Sequence, residues 1–217
     1  MENALLNLAI YSLPIFLTLT MPIAFQAWIA NRMGDPTPRQ QGRLSWDPIR
    51  HMDWLGTVGL PAVFLLLSGG FGGMGFLIGW AKPLDISVSR FRSNAALFLV
   101  EMPLFVGPLF MAVLWVVFAK LLGYAGVQET FVASVSAAGV NVGLSFFAIA
   151  LLPFPPMPLG NTILRNLPAK YLFKVLPVLQ YAPFIIIALL ILGVLNPYLR
   201  FMFGIGKAIV NALTFWL

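Results

Sequence analysis

The sequence predicts an all-α protein that lives in a membrane, and three observations carry that prediction. Of its 217 residues, 60% are apolar and 9% are charged, where an ordinary soluble domain has about a quarter charged. The apolar residues gather into runs long enough to cross the hydrocarbon core, which takes roughly 20 helical residues. The 17 prolines and 19 glycines lie inside those runs, so the chain is neither disordered nor collagen-like. The bilayer is its solvent, and backbone facing lipid must be helical.

The first run, Leu5 to Ile29, is a full span. Glu2 and the lack of Lys or Arg before it argue against a cleavable secretory signal. Asn31 to Met52 is the most polar stretch, with Arg32, Arg39, Arg43 and Arg50, and reads as a membrane-flanking loop. Residues 55–80 are interrupted by Ser68 and the glycines from Gly69 to Gly75, so Leu55–Leu67 and Phe76–Trp80 are expected to form a re-entrant pair. Ala95 to Leu122 is the next span and contains Glu101, Pro103 and Pro108. Phe131 to Leu152 returns and ends in Pro153-Phe154-Pro155-Pro156-Met157-Pro158, where four of six residues lack an amide donor and no α-helix can continue. Val175 to Leu195 is expected to span again, stopped by Asn196-Pro197. Tyr198 to Leu217 is read as a partial span or an interfacial helix. The sum is about four full spans plus a re-entrant element, in a single membrane domain covering 1–217.

Charge and residue counts narrow the function. The net charge of +6 comes from 13 basic and 7 acidic residues. Ten of the 13 cations (Arg32, Arg39, Arg43, Arg50, Lys82, Arg90, Arg92, Arg165, Lys170 and Lys174) fall on one proposed face. The excess is thus an orientation signal, with those loops cytoplasmic and the N-terminus periplasmic, and not a nucleic-acid surface. No cysteine and a single histidine, His51, exclude disulfides, thiolate zinc sites, iron–sulfur clusters and any multi-histidine metal site.

Four blocks then stand out: Gly34-Asp35-Pro36-Thr37 with Gln41-Gly42-Arg43-Leu44; Asp47-Pro48-Ile49-Arg50-His51-Met52-Asp53 with Leu55-Gly56-Thr57; Gly79-Trp80-Ala81-Lys82-Pro83; and Leu151-Leu152-Pro153-Phe154-Pro155-Pro156. In order and spacing they resemble the site-2 protease family of intramembrane zinc metalloproteases, in its small bacterial form without a PDZ domain, over roughly residues 8–195. The resemblance implies a site-2-protease-like transmembrane core, with 196–217 as an added C-terminal membrane segment. It also implies a His-Glu-x-x-His motif on the first core helix, in which two imidazoles one turn apart bind zinc and the Glu activates water.

That motif falls here on Pro22-Ile23-Ala24-Phe25-Gln26, and the family's third ligand, an Asp, falls on Pro158. Pro22 and Pro158 offer no ligand atom, Ile23 no base, and Gln26 only a neutral amide. Zinc at such a site would forgo most of a coordination energy on the order of 10 kcal/mol. The expectation from these residues is a protein without cofactor and without enzymatic activity, a pseudoprotease of the bacterial inner membrane.

Four polar residues remain as candidates. Glu101 lies inside an apolar run, where a carboxylate is costly unless protonated or partnered. It is read either as a contact to another subunit or a water-filled crevice, or as a group that snorkels to the interface or pairs with Lys82, Arg90 or Arg92. Gln26 is a second intramembrane polar candidate for partner contact. His51 and Asp53 are read first as ordering their loop, with a proton-responsive pair as the alternative. The glycine cluster lacks the context of a phosphate loop, and Trp28, Trp46, Trp54 and Trp80 read as an interfacial belt.

The expected role is a structural, assembly or regulatory subunit that binds transmembrane helices of partner proteins within the lipid bilayer. An altered intramembrane metalloprotease or hydrolase using Gln26, Asp53 or Glu101 is the alternative. A small-molecule or ion carrier is the second alternative, disfavoured because no internal repeat is visible.

Overall fold

A computed structural model of the chain describes residues 2–67, 77–91, 93–126 and 130–216. Among those residues there is no strand, and the all-α membrane architecture holds. The helices are α1 (Glu2–Arg32), α2 (Thr37–Gln40), α3 (Leu60–Leu67), α4 (Asn94–Glu101), α5 (Pro103–Tyr124), α6 (Thr130–Ala150), α7 (Pro158–Asn166), α8 (Ala169–Leu179), α9 (Ala182–Ile191) and α10 (Asn196–Thr214). Among the described residues, three stretches are long and apolar enough to cross a membrane: Ala4–Arg32, Asn94–Tyr124 and Thr130–Ala150.

The second of these is α4 and α5 in series. Pro103 has no amide to give to the carbonyl of Leu99, so the helix breaks at Met102 and restarts with Pro103 in its first turn. Pro14 and Pro22, by contrast, are absorbed into α1 without interrupting it. Packing overrides propensity there, as burial of the helix on two neighbours outweighs two lost backbone bonds.

The core is the contact of α5 with α6, which run antiparallel. Small residues make it close: a methyl group on Gly143 would stand 2.7 Å from the Pro108 carbonyl and 2.8 Å from the Ala112 side chain, and one on Gly139 would collide with the Trp115 indole. In lipid, where apolar burial drives nothing, such backbone approach is what holds helices together. α1 packs across the pair, with Ile15 against Val142 and Phe146 and the Pro22 ring against Gly107.

The expected fourth span does not form as one helix. Residues 175–195 are divided between α8, which carries Pro177 inside it, and α9, which begins with a proline in its first turn, with Gln180 and Tyr181 between them. Three spans therefore meet the length criterion where about four were expected. The C-terminal segment, expected as a partial span or an interfacial helix, forms α10. It runs the length of α6, from Tyr198 Oη donating to the Leu151 carbonyl at 2.7 Å, past Gly206 seated on Leu144 and Phe147, to the Thr214 carbonyl, which accepts from Lys120 Nζ at 2.6 Å.

The ends of the 55–80 segment do return to one place, since the Trp80 amide donates to the Gly56 carbonyl at 3.0 Å. The segment opens with a π-helical turn, Trp54–Gly59, leading into α3. Residues 77–80 are irregular, not helical. The glycine cluster between them, 69–75, lies outside the described residues.

The α5–α6 contact makes a sign-specific prediction. Gly139→Ala is expected to lower the thermal unfolding midpoint in detergent, at an overpacking cost of about 1–3 kcal/mol. Gly123→Ala, where nothing lies within 4 Å of the new methyl, is expected to leave it unchanged or raise it slightly, as alanine is the better helix former.

Candidate functional site

Two polar systems sit at the C-terminal end of α1. The larger is a belt formed by residues 33–59 and the largely irregular segment 77–91. Gly34, with φ of +99°, turns the chain out of α1 in a conformation that a β-carbon would strain. Asp35 follows and is fully buried. Its carboxylate accepts from the Thr37 amide at 3.0 Å, from the Thr37 hydroxyl at 2.5 Å and from the Ser87 amide at 2.8 Å. Burial alone would raise its pKa, but these hydrogen bonds, with the nearby positive charge of Arg90, outweigh it and hold the carboxyl below its ordinary value.

Arg43 is 7% exposed and spends its guanidinium on backbone. Nη2 donates to the Lys82 carbonyl at 2.7 Å and Nη1 to the Pro83 carbonyl. The Lys82 amide in turn donates to the His51 carbonyl at 2.9 Å, and Thr57 Oγ1 to the Trp80 carbonyl at 2.8 Å. The Trp80 indole lies where a β-carbon on Gly56 would be. Backbone groups of segment 77–91 are thus paired with side chains and backbone of the loop, as buried main-chain polar groups require.

His51 is fully buried in this belt. Its Nε2 bonds the Ser45 carbonyl at 2.9 Å, while Nδ1 is buried without a hydrogen-bond partner among the described residues. Burial is the main cause that pushes its pKa below the ordinary 6.5, with the Ser45 carbonyl acting the other way and Arg43 adding to the fall. Asp53 caps the π-helical turn, its Oδ1 accepting from the Gly56 amide at 2.7 Å. His51 and Asp53 thus make their hydrogen bonds within the loop, each to different groups. Trp28, Trp46, Trp54 and Trp80 are all exposed at this end, and Arg32 lies over the Trp28 ring at 5.0 Å.

The second system is Glu101. It is 3% exposed, at the end of α4, and its Oε1 forms an ion pair with Arg165 of α7. This corrects the expected partners: the cation is neither Lys82 nor Arg90, and Arg92 lies outside the described residues. Oε2 is buried and has no hydrogen-bond partner among the described residues.

At the positions where the resemblance would place a zinc ion, the residues do not fit one. The Pro22 ring is packed onto Gly107, and Ile23 and Gln26 are 8% and 4% exposed. Pro158 stands in the first turn of α7, its carbonyl accepting from Thr162. Among the described residues no group of three or more His, Cys, Asp or Glu side chains could hold a metal ion.

Asp35, Arg43 and Arg165 escaped the reading of side-chain chemistry from sequence. The first had a signal, since Asp-Pro-Thr after a glycine is the composition of a side-chain-capped turn. Arg43 and Arg165 are indistinguishable in sequence from the other loop cations.

Over 168 residues the chain is 29% identical to the "Putative zinc metalloprotease YwhC" of Bacillus subtilis (strain 168), covering 72% of this chain and 70% of that protein. No family model matches, and no solved structure matches. The similarity supports kinship with site-2-protease-like metalloproteases. It also overturns the expectation that this chain is not an enzyme, because the named relative is described as a protease and so points toward that class.

The buried histidine predicts acid sensitivity of the belt. The unfolded loop takes up a proton near the ordinary 6.5, whereas the folded loop resists it. The stability contributed is therefore complete above that pH and declines as pH falls through the depressed folded value. Amide hydrogen exchange in residues 43–57, corrected for intrinsic rate, is expected to accelerate between pH 7 and 5 in the native protein, and His51→Gln is expected to flatten that dependence.

Proposed function

We propose that this chain is a site-2-protease-like protein of a bacterial cytoplasmic membrane whose ligands are transmembrane helices of other membrane proteins, which it engages within a larger membrane assembly. In this reading the loops on either side of residues 55–80 are cytoplasmic and the N-terminus is periplasmic, following the distribution of Lys and Arg.

The observation that carries the reading is Glu101. It lies within a stretch apolar enough to cross a bilayer, and one of its carboxylate oxygens is buried without a hydrogen-bond donor among the described residues. Leaving such an oxygen unsatisfied costs free energy that a ligand able to donate a hydrogen bond recovers. Next to it Pro103 removes the helical donor for the Leu99 carbonyl, which adds a backbone acceptor. Phe98 and Leu99 are 42% and 45% exposed on the same short helix and give an apolar approach. Gln26 supplies a further buried amide on α1.

A second reading, intramembrane hydrolysis, is favoured by the description of the Bacillus subtilis relative. It requires donors that positions 22, 23 and 158 do not offer. Glu101, Asp53 and Gln26 are the groups it would draw on.

One experiment addresses both. A photo-crosslinking amino acid placed at Phe98 in native membranes is expected to yield adducts with membrane-spanning polypeptides, and Glu101→Gln is expected to reduce them several-fold. Adducts with lipid alone, unchanged by Glu101→Gln, would sink the helix-binding reading. For hydrolysis, the purified chain is incubated with a transmembrane peptide, with and without added zinc. Cleavage abolished by Glu101→Gln supports it, and an intact peptide under both conditions rejects it.

A further inference from the structure

We propose that the groove between α5 and α6, at the end remote from the loop belt, binds an anionic glycerophospholipid whose phosphate is held by Lys120. The inference stands on residues other than those of the helix-binding reading.

The groove has a volume of about 430 Å³ and is walled by Val116, Ala119, Ala133, Ala137 and Val140, with Lys120 as the charged group in its lining. It follows from the way the two helices pack. Gly139 and Gly143 draw α6 onto α5 at Trp115 and Pro108, and beyond the bulky indole the pair separates over small side chains. Ser136 leaves the wall apolar in effect, because its hydroxyl is turned back to the Val132 carbonyl at 2.9 Å. Ala133 and Ala137 are exposed, so the groove opens sideways to lipid.

The position of Lys120 fixes the chemistry of the ligand. Its ammonium has three donors, and one goes to the Thr214 carbonyl at 2.6 Å. That bond anchors the head group at the C-terminal end of α10, where a cation is favoured by the helix dipole. Tyr124, one turn further along α5, is 75% exposed, and Phe215 and Trp216 beside Thr214 are 82% and 70% exposed. Exposed aromatic rings of this kind mark the membrane–water boundary. The ammonium thus sits at the level of lipid phosphates, directly above an apolar channel. A soluble anion has no acyl chain for the channel, and a zwitterionic lipid offers the ammonium no net charge. An anionic phospholipid satisfies both parts.

The test uses the full chain in nanodiscs of equal phosphatidylglycerol and phosphatidylcholine. Brief detergent extraction and native mass spectrometry then read the retained lipid. The wild type is expected to retain phosphatidylglycerol over phosphatidylcholine about fivefold, the ratio that corresponds to about 1 kcal/mol for one basic residue near an anionic surface. Lys120→Ala is expected to bring retention to the bulk ratio, and Lys120→Arg to preserve the preference. Ala137→Phe, which fills the channel, is expected to lose both lipids, with thermal unfolding run alongside to show that the variant is folded. No preference in the wild type, an undiminished preference in Lys120→Ala, or a polypeptide captured by a photo-crosslinker at Ala137 in place of lipid would each overturn the proposal.

Discussion

The rest of the molecule depends on how closely α5 lies against α6. Two glycines on α6 remove the β-carbons that would hold the backbones apart, and Trp115, Pro108 and Ala112 fill the space they leave. Once that pair is set, α1 has a surface for Ile15 and Pro22, and α10 has one for Gly206 and Val210. The same wedge at Trp115 closes one half of the α5–α6 seam and opens the other. Tight packing at one end and a lipid-facing groove at the other are one geometric fact, since helices joined by a short connection cannot follow each other closely on both sides of a bulky ring.

The belt at the other end answers a different demand. Segments 33–59 and 77–91 are largely irregular, and irregular backbone near lipid must find its hydrogen bonds inside the protein. It does so through side chains that sequence reading counts as charges. Asp35 serves three donors and Arg43 two carbonyls. Charge in this belt is structural, and only secondarily a signal of topology. Glu101 differs in kind: its partner Arg165 satisfies one oxygen and leaves the other bare, which is why the functional reading gathers there.

The spans at α1, α5 and α6 are legible in the sequence because apolar length alone decides whether a segment crosses a bilayer. The end of α6 is legible because consecutive prolines forbid helix. The division of residues 175–195 is harder to see, as their composition is that of a span. The outcome turns on whether packing outweighs the backbone bonds that prolines remove, as it does for Pro14 and Pro22 inside α1, whereas α8 and α9 are separated at Gln180 and Tyr181. Ion pairing is harder still. Glu101 announces itself as costly, but its cation lies 64 positions away, among several arginines that the sequence treats alike. At the positions of the zinc ligands, the sequence shows which residues stand there. The packing of Pro22 on Gly107 becomes visible only in three dimensions.

The bond between the Trp80 amide and the Gly56 carbonyl has a mechanical meaning beyond its part in the belt. It closes the chain on itself at one point, so that the two ends of the segment move together and not independently. Beyond that neck, Leu65 of α3 and Leu77 are packed into the core with Ile15, Val142 and Phe146. The segment is therefore pinned at two levels, by a backbone bond at the belt and by side chains in the core. A load applied at either level is shared with the other, so α1 and the belt respond to it as one body.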